Sequence, residues 1–247
     1  MEKKQPKPAL LLLPNLLAET AHPELYLPTS VGKAVNSLNG LIAENPNAGK
    51  RYLDLFIKDR DTRTIPIAVV NHSTKFEDLD FFLEPILKGE RWGFVSDAGL
   101  PCIADPGSSL VFRARQRGIT IQSFVGPSAI TMGLMLSGLP SQRFSFHGYL
   151  PKAQEERRIA ILELEKTSRK EGSTQLFIEA PHRNQHLLEE LVSSLSEETW
   201  LCAAWQLTSP DQGVVCQQVA TWRRTALPQL DGKTAMFYFY AKGKIYG

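Results

Sequence analysis

Three short stretches of this 247-residue sequence gather the residue types that bind small charged groups or move protons. The first is Val95-Ser96-Asp97-Ala98-Gly99-Leu100-Pro101-Cys102-Ile103-Ala104-Asp105-Pro106-Gly107. Its carboxylates Asp97 and Asp105 could accept hydrogen bonds from a ligand's hydroxyls or ammonium group. Its glycines let backbone amides approach a ligand closely, and its prolines stiffen the loop. Asp105 has a second reading, as the cap of a helix with Pro106 at its first position, and the two roles are compatible. The second stretch is Gly126-Pro127-Ser128-Ala129-Ile130, where Ser128 is either an N-cap or a small residue leaving room for a flat ring or a methionyl chain. The third, Phe177-Ile178-Glu179-Ala180-Pro181-His182-Arg183, sets a carboxylate, an imidazole and a guanidinium at the end of an apolar run, with an ordinary exposed surface as the alternative.

Such groups need rigid elements behind them. Apolar runs rich in β-branched or aromatic residues predict strands at Ala9–Leu13, Ile65–Val70, Trp92–Val95, Ile119–Val125, Gln175–Ile178, Leu201–Leu207, Val214–Val219 and Ala235–Tyr240. Helical period predicts helices at Phe76–Leu87, Ser108–Arg117, Ser128–Ser137, Glu155–Lys170 and Asn184–Leu195. Alternation of the two implies a parallel sheet flanked by helices, with all three stretches lying where strands end, the usual place for ligands in such sheets. After Ser173 the strands crowd together, which implies a second, mixed sheet with antiparallel pairs. The expectation is therefore an α/β protein of two domains, residues 1–124 and 125–247, the first sheet parallel and the second mixed, with the turn at Val125-Gly126-Pro127 as the boundary.

Bulk composition narrows the function classes. Hydrophobic residues make up 43% and charged residues 22%, enough for buried cores without staples. The net charge of +2 lacks the excess expected of a protein that neutralises many phosphates, so nucleic acid is neither demanded nor excluded. Cys102, Cys202 and Cys216 show no Cys-x-x-Cys spacing, which points to no disulfide framework, no zinc site and a reducing cytoplasm. Lys3, Lys4 and Lys7 before Ala9–Leu13 imitate a signal peptide, but the apolar run stops after five residues at Pro14, short of the roughly 7–15 needed. A buried first strand is the expectation, and no window reaches the roughly 18 apolar residues of a membrane span.

Other signals carry less. Gly232-Lys233-Thr234 ends like a P-loop, but Leu227 stands where its first glycine belongs. His182 and His186 have zinc-helix spacing without an intervening glutamate or a third ligand, so no metal is expected. Arg113, Arg115, Arg117, Arg157, Arg158, Arg223 and Arg224 form either an RNA-facing rim or a solvated face. Trp92, Trp205 and Trp222 read as packing.

In order and spacing the loops resemble the tetrapyrrole-methylase superfamily, the class III S-adenosylmethionine-dependent methyltransferases, and within it the branch that methylates small-subunit ribosomal RNA. Ser96–Gly107 match its Ser-Asp-Ala-Gly-x-Pro-x-x-x-Asp-Pro-Gly, Gly126–Ala129 its Gly-x-Ser-Ala, and Ser137–Pro140 its Ser-Gly-Leu-Pro. Phe144–Pro151 resemble a further phenylalanine-glycine-leucine-proline segment, and Glu179–Arg183 match Glu-x-x-His-Arg.

The resemblance implies two α/β domains with S-adenosyl-L-methionine in the cleft between them, a homodimer and no metal. By position it implies cofactor contacts at Pro14, Asp97, Ala98, Gly99, Leu100, Ile103, Ser128, Ala129, Glu179, Ala180 and Ala204. It implies methyl transfer to ribosomal RNA, on a ribose 2'-hydroxyl of the small subunit, with Glu179 or His182 as general base. Alternatives are a tetrapyrrole or other small-molecule acceptor, or a cofactor-binding module without turnover.

The sequence also departs from the family. Leu13-Pro14-Asn15-Leu16 replaces Thr-Pro-Ile-Gly-Asn-Leu, and only Glu44 survives of Glu-Asp-Thr-Arg, Asp61-Thr62-Arg63 lying too far downstream. Trp205-Gln206-Leu207-Thr208-Ser209 replaces Arg-Glu-Leu-Thr-Lys, and the sequence stops at Gly247, short of an extension seen in longer relatives. These changes bear on the acceptor more than on the cofactor.

Overall fold

The structure is a computed structural model that describes residues 7–243 and 245, so Lys3, Lys4 and Gly247 lie outside the described residues. The chain divides into two compact units, Met1–Ser128 and Ala129–Gly247.

In the first unit the chain runs through β1 (Ala9–Leu12), α1 (Pro23–Tyr26), α2 (Thr29–Asn36), β2 (Gly40–Ala43) and α3 (Pro46–Phe56). It continues through β3 (Ile67–Val69), α4 (Leu79–Leu87), β4 (Arg91–Val95), α5 (Ser108–Gln116) and β5 (Ile121–Ser123). The five strands form one sheet in the order β3-β2-β4-β1-β5, every neighbouring pair parallel. Both faces are covered, which is why the central strands are continuously apolar. Leu11, Leu13 and Leu41 pack with Val31, Val35, Tyr52 and Leu53 of α2 and α3 on one face. Leu10, Ile42 and Phe94 pack with Leu79, Leu83, Leu110 and Ala114 of α4 and α5 on the other.

Four elements here, α1, α2, β2 and α3, escaped the sequence pattern. β2 opens on Gly40, where a Cβ would sit 2.4 Å from the Trp92 ring, so close packing rather than propensity chose that residue. α1 and α2 are short, and α3 carries a local signal in Asn45, whose side chain accepts hydrogen bonds from the Asn47 and Ala48 amides ahead of the proline-led first turn. The reading of Asp105 as a helix cap is corrected: α5 starts at Ser108, capped by Gly107 at φ +117. A side chain at Gly107 would strike Phe94, leaving its Cβ 2.0 Å from the ring.

The second unit runs through α6 (Ala129–Ser137), β6 (Phe144–Tyr149), α7 (Gln154–Glu171), β7 (Thr174–Ile178) and α8 (Asn184–Ser194). After these come β8 (Trp200–Trp205), β9 (Gly213–Gln218), α9 (Val219–Trp222) and β10 (Ala235–Tyr240). Its sheet has the order β6-β7-β10-β8-β9, with β6 and β7 parallel and the other pairs antiparallel, the mixed sheet expected. Phe177, Phe237 and Phe239 meet Leu187, Leu188, Leu191 and Trp222 in one core. α6 packs on the opposite face of the sheet, against β8, β9 and β10. There the Tyr238 hydroxyl donates to the Ala129 carbonyl at 2.9 Å, and a Cβ at Gly133 would lie 1.9 Å from that hydroxyl. At the β6 edge the register shifts between Phe146 and Tyr149, with Gly148 at φ +64. Among the described residues no helix is long and apolar enough to cross a membrane.

Candidate functional site

In the first unit, chemistry gathers at the carboxyl ends of β2, β4, β1 and β5. Asn15, just after β1, joins two of these ends. Its side-chain amide donates to the Ser96 and Asp97 carbonyls at 3.0 and 2.9 Å, and its backbone amide donates to the Gly99 carbonyl at 2.8 Å. Its side-chain oxygen accepts from the Leu16 amide at 2.8 Å. The loop after β5 comes to the same place. A Cβ on Gly126 would lie 2.0 Å from Pro14, and one on Gly99 would lie 3.5 Å from the Pro127 carbonyl. Gly99 has φ +68, a conformation that favours glycine. The stretches around Pro14, Asp97 and Pro127 are therefore brought together within this unit, with Ser128 buried at the end of the third.

Asp97 and Ala98 are exposed at the top of the β4 loop, Gly99 is buried, Leu100 is partly buried, and Ile103 is 51% exposed despite being apolar. Cys102 and Ala104 both adopt left-handed backbone, at φ 69 and 63. Such conformations cost on the order of 1–3 kcal/mol each and cluster where function overrides local preference.

The loops carry a concentration of negative charge. Glu44, directly after β2, accepts from the Asp97 amide at 3.3 Å. Burial pushes its carboxyl up and the Asp97 charge adds to this, while the Asp97 amide, Ser96 and His72 pull it down without fully compensating. Asp105 is pushed up to about 6 by burial and by the charges of Glu44 and Asp97. The Cys102 thiol is pushed up to about 11 by burial and by Asp105, which leaves it protonated and inert. Glu44 and Asp105, both held above their ordinary values with the Asp97 charge beside them, favour a cation close by. Asn15 and Glu44 were not singled out as site residues from sequence. Their partners lie 82 and 53 positions away, and the only local signal was their place after an apolar run.

In the second unit, Glu179 follows β7 and is buried, its side chain 2% exposed. Its carboxylate accepts from the Ala180 amide at 2.6 Å and from the Arg183 guanidinium. Burial pushes this carboxyl up, but the Arg183 and Ala180 hydrogen bonds outweigh it and the net value lies below the usual range. His182 is exposed beside this pair, on a single 3-10 turn (Pro181–Arg183). Ala180 is partly buried, and Ala204 is wholly buried in β8 between Val214 of β9 and Met236 of β10. The loop after β8 holds Gln206 at φ 48 and Thr208 at φ 72. Gln206 accepts from the Thr234 amide and hydroxyl at 3.2 and 2.8 Å, fixing that loop to the start of β10. Asp61 and Arg63 serve local structure: Asp61 caps a 3-10 turn (Thr62–Thr64) and pairs with Arg63 at 2.8 Å.

Residues 34–221 match the model of the tetrapyrrole (corrin/porphyrin) methylases. Among characterised relatives, the chain is 36% identical over 164 residues to ribosomal RNA small subunit methyltransferase I of Vibrio cholerae, a match covering 65% of this chain and 54% of the relative. The protein of that name from Escherichia coli O157:H7 is 31% identical over 198 residues, covering 77% of this chain and 68% of the relative. The chain thus spans about half of the first of these relatives and about two thirds of the second. Among solved structures, the methyltransferase CobJ superposes with a TM-score of 0.62 at 18% identity, covering 93% of each chain. Diphthine synthase superposes with a TM-score of 0.63 at 14% identity, covering 94% of this chain and 89% of that one.

Proposed function

From the premise that the chain belongs to the tetrapyrrole (corrin/porphyrin) methylase family, whose members depend on S-adenosylmethionine, we propose that it transfers a methyl group from that donor to small-subunit ribosomal RNA, at a ribose 2'-hydroxyl. The observation that carries the reading is the joining of the β1, β4 and β5 loops beside the carboxyls of Glu44, Asp97 and Asp105. When bound, S-adenosylmethionine supplies a methyl group made electrophilic by its sulfonium. The chain's own contribution is to hold that cation in a negative, partly dry place and to keep the acceptor in line with it.

On this reading the residues assigned to the donor are Pro14, Asp97, Ala98, Gly99, Leu100, Ile103 and Ser128 of the first unit and Ala129, Glu179, Ala180 and Ala204 of the second. The fit of the first unit rests on charge and on backbone: three carboxyls favour the cation, and left-handed backbone at Gly99, Cys102 and Ala104 shapes the loop beside them. A ribose hydroxyl must lose its proton during transfer. His182 is the better suited of the two candidate bases, because Glu179 is already committed to Arg183 and the Ala180 amide. His182→Ala is then expected to lower turnover with donor affinity intact, while Glu179→Gln lowers affinity as well. Unchanged turnover in His182→Ala would remove that residue from the proposal. A homodimer and a cytoplasmic location belong to the same reading.

One observation favours a second reading, a cofactor-binding module without turnover: Gln206 stands where the family carries a glutamate, and its side-chain oxygen is spent accepting from the Thr234 amide and hydroxyl. Incubating small ribosomal subunits and a pigment-containing extract from a deletion strain with tritiated S-adenosylmethionine and the purified chain separates the readings. Label in small-subunit RNA is the expected result. Label confined to extracted pigments would point to a small-molecule acceptor, and none at all to the module.

A further inference from the structure

Cys202 and Cys216 stand directly opposite one another on the antiparallel strands β8 and β9. In such a ladder, facing pairs alternate between those that exchange backbone hydrogen bonds and those that do not, and the latter bring Cα atoms to about 4.5 Å with their side chains closest. The Val219 amide donates to the Thr199 carbonyl at 2.9 Å, one step beyond the Trp200 and Gln218 pair. Odd-numbered residues of β8 therefore aim their backbone groups at β9. The other side of β8 agrees, because the Gln206 amide donates to the Thr234 carbonyl at 3.0 Å, in register with β10. Cys202 is thus in a non-hydrogen-bonded pair with Cys216, within the Cα separation of roughly 4.4–6.8 Å that a disulfide bridges.

The two thiols are hydrogen-bonded to each other but remain free. Cys202 is wholly buried, whereas Cys216 is partly exposed and lines a cavity of about 590 Å³ together with Ser137, Gly138, Glu198, Trp200 and Gln218. The hydrogen bond from Cys202 holds the Cys216 thiol below its ordinary value, so the open member of the pair is the one that ionises.

We propose that Cys216 and Cys202 form a two-thiol site that a peroxide entering from this cavity oxidises to a reversible disulfide across β8 and β9. The Cys216 thiolate attacks a peroxide oxygen, the O–O bond breaks, and the departing hydroxide takes up the thiol proton as water, leaving a sulfenic acid. The Cys202 sulfur then attacks that sulfenic sulfur; the S–S bond forms, the S–O bond breaks, and a second water leaves with the Cys202 proton. Two thiols and one hydrogen peroxide become one disulfide and two waters. A small dithiol restores the pair by exchange. The bond would lie on the face of β8 that α6 covers, since Tyr238, the neighbour of Cys202 on β10, meets α6 on that side.

The test is peptide mapping of the full chain under non-reducing conditions after treatment with hydrogen peroxide, with free thiols blocked by iodoacetamide. The expected product is a peptide pair linked through Cys202 and Cys216, two hydrogens lighter than the sum and separated again by dithiothreitol. Cys202→Ala is expected to stop at a sulfenic acid on Cys216 that dimedone traps, and Cys216→Ala to leave Cys202 unmodified. A link through Cys102, irreversible sulfonic acid on Cys216 with Cys202 still reduced, or unchanged thiols would overturn the proposal. The unmutated chain decides the matter by itself if either variant fails to fold.

Discussion

Asp105 is the carboxyl that the first unit makes hardest to ionise. Its value rises from 3.8 to about 6 through burial and the charges of Glu44 and Asp97, so the folded chain favours the protonated form. The resulting stability is fully present below the ordinary value and is lost as pH rises through about 6. Asp105→Asn should therefore match the parent near pH 4 and be more resistant to urea at pH 8, the gap opening across that window. A cation beside the cluster pulls the other way, because it stabilises the charged form. Affinity for S-adenosylmethionine, measured by titration calorimetry, should fall as pH drops below about 6, and that for S-adenosylhomocysteine, without the sulfonium charge, should change less. Asn15 makes a further prediction. Asn15→Ala removes three side-chain hydrogen bonds that hold the β1 and β4 loops, and about tenfold weaker donor binding with an unchanged far-ultraviolet spectrum is expected. The Asp97–Gly99 and Gly126–Ser128 turns were legible because they are spelled out by neighbouring residues. Asn15 and Glu44 were not, because their roles come only from strands that meet in the folded sheet.

The elements repeat that division. Strands buried on both faces, such as β1, β4 and β10, announce themselves by continuous apolar runs, whereas β2 is four residues beginning with a glycine that a tryptophan ring demands. β6 was also missed, since it lies at an edge and most of its residues are exposed. Gly126 and Pro14 show how tightly the strand ends meet. Gly126→Ala is expected to push the β1 and β5 loops apart, raising the donor dissociation constant more than it lowers the melting temperature. α7 and α8 are tied by Arg157 and Glu190 at 2.6 Å, with side chains only 14% and 11% exposed. Arg157→Met leaves Glu190 buried without its partner, and a loss of about 3 kcal/mol in urea unfolding is expected, most of it recovered when Glu190→Leu is added.

At the scale of the molecule, a net charge of +2 provides little long-range attraction for a polyanion, so capture of the proposed RNA acceptor would rest on local groups. Donor binding should be visible in the whole chain: at a hundred times its dissociation constant S-adenosylmethionine adds about 2.7 kcal/mol to stability, and scanning calorimetry should register the rise. The edge of the second sheet bears on behaviour in crowded solution. An outer strand with straight, regular geometry is a template onto which a neighbouring molecule can zip, amide by amide. β6 would be a hazardous one, bearing Phe144, Phe146 and Tyr149, but its ladder slips before Tyr149 and Gly148 turns the main chain into a left-handed kink. The kink keeps a sticky margin from propagating, and excising Gly148 would even it out, inviting fibrillar stacking of one molecule on the next.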